Sequence, residues 1–243
     1  MWRSLLLSLC LLVAVGAARA QAPAPARDGG PRPPQGVHYL YLIRHGMYDR
    51  DTVQTDDRIS SGLNALGHEQ AKLIGARLAG LPVHFRSLVA SDFTRARETA
   101  ADIGAAVHMG VEIDSLLHEC TPTSDNPSLT RDDTPAEIAL CDEHRAAAWA
   151  RYVVPTPDAD THDLLVCHGN VIRWMVTKAV GGDVRTWAHM DIGNASLTIL
   201  AVRADGSVRL VMYSDVGHIP VEKQTWAGRG AGWGKPAGAG RMR

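Results

Sequence analysis

Aromatic side chains are scarce in this 243-residue chain, at 5% with only two Phe, so any core must be built mainly from Leu, Val, Ile and Ala. An excess of one charge sign is also missing. The 25 basic and 26 acidic residues leave a formal charge of −1, which gives no electrostatic reason to expect a nucleic-acid partner. Only four Cys are present and none form a CxxC, which excludes a disulfide-dense miniprotein and offers no zinc-ligand spacing. There is no internal repeat at a solenoid period. The longest apolar run, Ser4 to Val15, is about a dozen residues and too short to anchor a helix across a bilayer. What remains is ordinary globular composition, 45% apolar and 21% charged, which suits one α/β domain.

The two ends read differently from the middle. Trp2-Arg3, the apolar run and then Ala18-Arg19-Ala20 match the start, centre and small-x-small site of a secretory signal over residues 1–20. That pattern predicts cleavage near Ala20, an exported periplasmic or secreted protein, and no stable membrane association afterwards, with an uncleaved membrane anchor as the alternative reading of the same pattern. Residues 21–36 (QAPAPARDGGPRPPQG) form a Pro/Ala/Gly-rich linker, and 227–243 a Gly-rich basic tail with no acid, expected to be disordered. Residues 37–226 are left as the folded domain. Cys10 falls in the leader; of the other three, Cys120 and Cys141 are the pair to consider, because Cys167 sits inside an apolar strand-like run.

Between the ends, strand and helix patterns alternate. Tyr39–Ile43, Ser87–Ala90 and Asp163–Cys167 are short apolar runs, while 64–81, 94–107, 134–152 and 170–180 carry helical spacing. Ser196–Val202 and Val208–Tyr213 flank Asp205-Gly206, a strong hairpin signal. This order predicts a three-layer α/β/α domain around a mixed, mostly parallel sheet of about six strands, with chemistry at the carboxyl ends of the strands.

Those strand ends carry the informative residues. The first run ends in Arg44-His45-Gly46. The second ends in Ser91-Asp92 and enters a helix through Thr94-Arg95-Ala96-Arg97-Glu98-Thr99. The third ends in Cys167-His168-Gly169-Asn170. Helix N-termini there add free N–H groups and a positive dipole end, which favour an anion. Two His and two Arg meeting at one spot would repel one another unless a dianion such as phosphate lay among them. The residues alone therefore describe a phosphate pocket that contains a nucleophile.

Arg44-His45-Gly46 after an apolar strand, Leu63-Asn64-x-x-Gly67-x-x-Gln70-Ala71, Ser91-x-x-x-Arg95-Ala96-x-x-Thr99 and His168-Gly169 resemble, in order and context, the motifs of the histidine phosphatase superfamily, whose fold is phosphoglycerate-mutase-like. Asn64 replaces a Thr as helix N-cap, a chemically equivalent choice. Tyr48, Cys167-His168-x-Asn170-Val171-Ile172-Arg173, Asn194-x-Ser196 and Asp215-x-Gly217-His218-Ile219-Pro220 are similar to the branch that contains the mitochondrial Ser/Thr protein phosphatase.

The resemblance implies a metal-independent phosphomonoester hydrolase with no cofactor. His45 would be the nucleophile, Arg44 and Arg95 would grip the phosphoryl oxygens, and His168 would donate to the same oxygens. It also points to Glu119 in Leu116-Leu117-His118-Glu119 as the proton donor, although Cys120 follows where the family usually has a small residue or Gly. Asp92 is the rival donor, unless it caps the helix that follows it. Arg58 is placed at the mouth as a further substrate contact, whereas Arg97 reads as a surface residue and Arg173 is left unassigned. The expected partner is a phosphorylated small molecule or a phosphoprotein. From another class, the pocket could belong to a non-catalytic module that only binds a phosphorylated ligand.

Overall fold

The computed structural model describes residues 36–50 and 57–226, so the expectations for the leader, for the tail and for all of the linker except Gly36 lie outside the described residues. Strands β1 (His38–Arg44), β2 (Ser87–Ala90), β3 (Glu112–Ile113), β4 (Thr161–Cys167), β5 (Leu197–Val202) and β6 (Val208–Asp215) form one sheet in the order β3-β2-β4-β1-β5-β6. The pairs β3/β2, β2/β4 and β4/β1 are parallel, while β5 and β6 are antiparallel. The mixed, mostly parallel sheet is as expected. Only β3 escapes the sequence pattern, because two exposed residues cannot display a period.

Helices α1 (Asp57–Ser60), α2 (Ala65–Ala79), α3 (Thr94–Val107), α4 (Pro135–Tyr152) and α5 (Gly169–Ala179) complete the described fold. Alternation along β1 assigns the layers. Leu40 and Leu42 pack in a cluster with Ala148 of α4 and Val171, Ile172 and Met175 of α5. Tyr41 and Ile43 face the other way, into a cluster with Ile74 and Leu78 of α2 and Ala96, Ala100 and Ile103 of α3. Strands buried on both faces read as unbroken apolar runs, which is how β1 and β4 look in the sequence.

Helix starts follow local chemistry. Asn64 caps α2 by accepting from Gly67 N–H at 2.9 Å. Thr134 and Glu137 form a reciprocal capping box at α4. Asp92 is not a cap, because the N-cap of α3 is Phe93, in extended conformation and without a side-chain bond. Cys120 and Cys141 are joined by a disulfide, and Cys167 is free and buried.

Candidate active site

Sheet order explains why distant motifs meet. Strand β4 lies between β2 and β1, with Arg44 opposite Cys167 and Ala90 opposite Val166, so the next residues on each strand emerge side by side. His45 and His168 thereby come to a ring-centroid separation of 5.1 Å, and both are buried, at 2% and 0% exposure. Arg95 follows β2 in the first turn of α3, 2% exposed, with its guanidinium over the rings of Tyr48 and Phe93 at 4.6 and 4.7 Å.

The loop after β1 is fixed from several sides. A Cβ on Gly46 would lie 2.5 Å from Gly67 O, and one on Gly67 would lie 1.9 Å from Met47 O. These two glycines let the loop and the first turn of α2 touch backbone to backbone. Gly46 N–H donates to Thr99 Oγ1 at 3.0 Å, and Met47 N–H to Gln70 Oε1 at 2.9 Å. Asn194 Nδ2 donates to the carbonyls of His45 and Gly46 at 3.2 and 3.3 Å. The family-like Asn64, Gly67, Gln70 and Thr99 thus hold the chain that carries His45.

The two imidazoles are held by different contacts. His45 Nδ1–H donates to Gly46 O at 2.8 Å, which leaves the lone pair on Nε2. Burial first, then Arg44 and Arg95, push the His45 pKa well below the ordinary imidazole value, so the ring is neutral. His168 Nε2 lies 2.8 Å from Ser91 Oγ, which itself accepts from Phe93 N–H at 3.3 Å. Ser91 Oγ also donates to Asp92 Oδ1 at 3.4 Å, and the other ring nitrogen of His168, Nδ1, is buried with no partner among the described residues. Burial, His45 and the neighbouring Arg residues also hold His168 well below its usual pKa.

Glu119 lies beside this group. Its Oε2 accepts weakly from Asn170 N–H at 3.5 Å, and Oε1 has no partner among the described residues. Burial pushes its pKa up, against Arg95, Arg145, Arg173 and Arg44, which all pull it down. Arg44 donates through Nη1 to Ile192 O at 2.8 Å, and its Nε has no partner among the described residues; burial lowers its pKa to about 10. Several cationic groups with one carboxylate, and with donors left unsatisfied, make a pocket short of an anion.

Asp92 is partly exposed, and its Oδ1 accepts from the Ser91 hydroxyl at 3.4 Å. Arg97 is exposed. Arg173 is braced by Asn170 Oδ1 at 2.6 Å and by Met190 O at 3.2 Å, with Trp187 against its guanidinium. Arg58 belongs to the backbone of α1, but its side chain is outside the described residues. Arg145 is a further buried charge beside the pocket. It is fully buried and its Nη2 donates to His118 O at 2.7 Å, yet no motif marks it. Only its burial beside the pocket, visible after folding, gives it away.

The family described as the histidine phosphatase superfamily (branch 1) matches residues 40–139 and 123–215. A mitochondrial serine/threonine-protein phosphatase of Xenopus tropicalis, PGAM5, is 33% identical over 195 residues, covering 78% of this chain and 69% of its own length. The human protein of that name is 33% identical over 196 residues, covering 79% and 67%. Among solved structures, the α-ribazole phosphatase of Shigella flexneri superposes with a TM-score of 0.55 at 17% identity, covering 73% of this chain and 96% of that one. A phosphoglycerate mutase of Plasmodium falciparum gives 0.53 at 24%, covering 77% and 96%. At those identities the structures establish the fold.

The expectation of an exported protein is corrected by these relatives, which are named as mitochondrial and not as periplasmic or secreted. A short apolar run with Arg at both ends reports hydrophobicity and charge, and twenty residues of it do not specify which membrane system receives the chain.

Proposed function

The chain belongs to the histidine phosphatase superfamily, and from that premise we propose that it hydrolyses phosphomonoesters through a phosphorylated His45. The observation that carries this reading is the His45 Nδ1–H bond to Gly46 O, in a buried ring beside Arg44 and Arg95. That bond leaves Nε2 as the nucleophile at neutral pH.

In the proposed reaction Nε2 attacks phosphorus as the ester bond breaks. Glu119 gives its proton to the departing alkoxide. Arg44, Arg95 and His168 donate to the phosphoryl oxygens as their charge redistributes. Water then attacks the phosphohistidine, Glu119 takes a proton back, and phosphate leaves. The raised Glu119 pKa and its unpartnered Oε1 support the donor role over Asp92. Phosphoserine and phosphothreonine on proteins are the substrate class favoured by the relatives' names. A silent phospho-ligand binder would have no use for a nucleophile with its tautomer fixed.

The test is turnover of p-nitrophenyl phosphate by wild type and His45→Ala, with a denaturing quench during turnover. Wild type should trap label that is labile to acid and stable to base, and His45→Ala should trap none and turn over no substrate. Acid-stable label would overturn the mechanism.

A further inference from the structure

Glu119 is held loosely by its own side chain. One oxygen receives a 3.5 Å contact and the other has no partner among the described residues. Its place in the pocket must therefore be set by the backbone that carries it, residues 116–120. One turn of α4 grips that backbone. Cys141, His144 and Arg145 share a helix face at i, i+3 and i+4. Arg145 Nη2 donates to Leu116 O and His118 O at 3.4 and 2.7 Å. His144 Nδ1 shares a hydrogen bond with His118 Nε2 at 3.1 Å. Cys141 is bonded to Cys120, the residue directly after Glu119. From the other side, Asn170 Nδ2 donates to Cys120 O at 3.0 Å.

Arg145 holds the backbone before Glu119, His144 holds the His118 side chain beside it, and the disulfide holds the residue after it. We propose that the Cys120–Cys141 disulfide is a positioning element for Glu119, so that its reduction selectively impairs proton donation to the leaving group. This rests on the reading of Glu119 as the acid.

Reduction by a dithiol is chemically simple here. Cys120 is partly exposed while Cys141 is 2% exposed, so the reagent's thiolate attacks Cys120 Sγ and Cys141 Sγ departs and takes a proton. The reagent's second thiol then closes on the mixed disulfide. The products are two cysteine thiols and the reagent's cyclic disulfide. Cys167 does not interfere, being buried with its pKa pushed up to about 12.

The experiment compares wild type before and after dithiothreitol, Cys120→Ala/Cys141→Ala, and Glu119→Gln before and after dithiothreitol. Each is assayed on phosphoserine and on p-nitrophenyl phosphate. A displacement of about 1 Å at a reacting group can cost on the order of 10²-fold. Loss of one of several tethers should therefore lower kcat on phosphoserine by about tenfold or more, and leave p-nitrophenyl phosphate within about twofold. KM should stay nearly constant, reoxidation should restore activity, and reduction should add nothing to Glu119→Gln. Turnover of p-nitrophenyl phosphate reports folding, so reduced wild type keeps the test decisive if the double variant is unstable. Equal loss on both substrates, or no loss, overturns the clamp when Glu119→Gln is itself selective for phosphoserine. If Glu119→Gln shows no selectivity, the acid assignment fails and the clamp fails with it.

Discussion

At the residue scale, the site works by setting protonation through burial. His45 and His168 are kept neutral by desolvation and nearby guanidinium groups, while desolvation raises Glu119 against four Arg residues. Burial thus favours the protonated form of Glu119, the form a proton donor needs. Replacement by Gln keeps the shape and removes the transferable proton. On phosphoserine, whose alkoxide leaving group is strongly basic, Glu119→Gln should cost about 10²-fold or more in kcat. On p-nitrophenyl phosphate, whose leaving group departs readily as an anion, the loss should be far smaller. Equal losses on the two substrates would remove Glu119 from this role and make Asp92→Asn the next comparison.

At the element scale, the glycines of the motifs are steric requirements and not helix chemistry. Ala is the better helix former at position 67 by about 1 kcal/mol. Its Cβ, however, would lie 1.9 Å from Met47 O, a backbone atom that already accepts from Asn64 N–H. Overpacking of that kind costs about 1–3 kcal/mol and shifts the loop that carries His45, so Gly67→Ala should lower both Tm and kcat. Gly80 ends α2 at φ −82°, and a Cβ there meets nothing closer than 3.5 Å, so Gly80→Ala should change neither by much. If thermal melts and turnover rank the two variants the other way, the packing account is wrong. These glycines also show what the sequence makes legible. Strand ends, caps and close approaches leave a local mark, and β2 and α3 have the expected boundaries. Arg145 leaves none. An Arg in an amphipathic helix looks solvated until tertiary packing buries it under residues 116–118. The placement of Glu119 likewise depends on a three-residue 3₁₀ turn, Ser115–Leu117, too short to carry a period.

At the scale of the whole molecule, folding forces histidines into places that disfavour their charged form, and this sets how stability responds to pH. His45 and His168 are held well below their ordinary pKa, and His218 is pushed down to about 4 by burial and then by Arg77. Below about pH 6.5 the unfolded chain binds protons that the folded chain refuses, so stability rises with pH up to that point and falls as the solution is acidified. Each such proton contributes a slope of up to about 1.4 kcal/mol per pH unit. Glu119 has the opposite sign, since its pKa is raised on folding: its contribution is present at low pH and lost as pH rises. His118 and His162 are lowered as well, so five histidines among the described residues stand against Glu119 and leave a net positive slope between about pH 5 and 6.5. An anion in the pocket should change this, because it favours the imidazolium form of the two site histidines and returns their pKa toward the unfolded value. Sulfate is a suitable probe, as its own charge does not change over that range. Saturating sulfate should raise Tm by preferential binding to the folded state and should do so most at the acidic end, flattening the profile of Tm against pH. Arg95→Ala should lose most of that response. A sulfate effect that is the same size at pH 5 and pH 6.5 would show that His45 and His168 are not the groups that sense the anion.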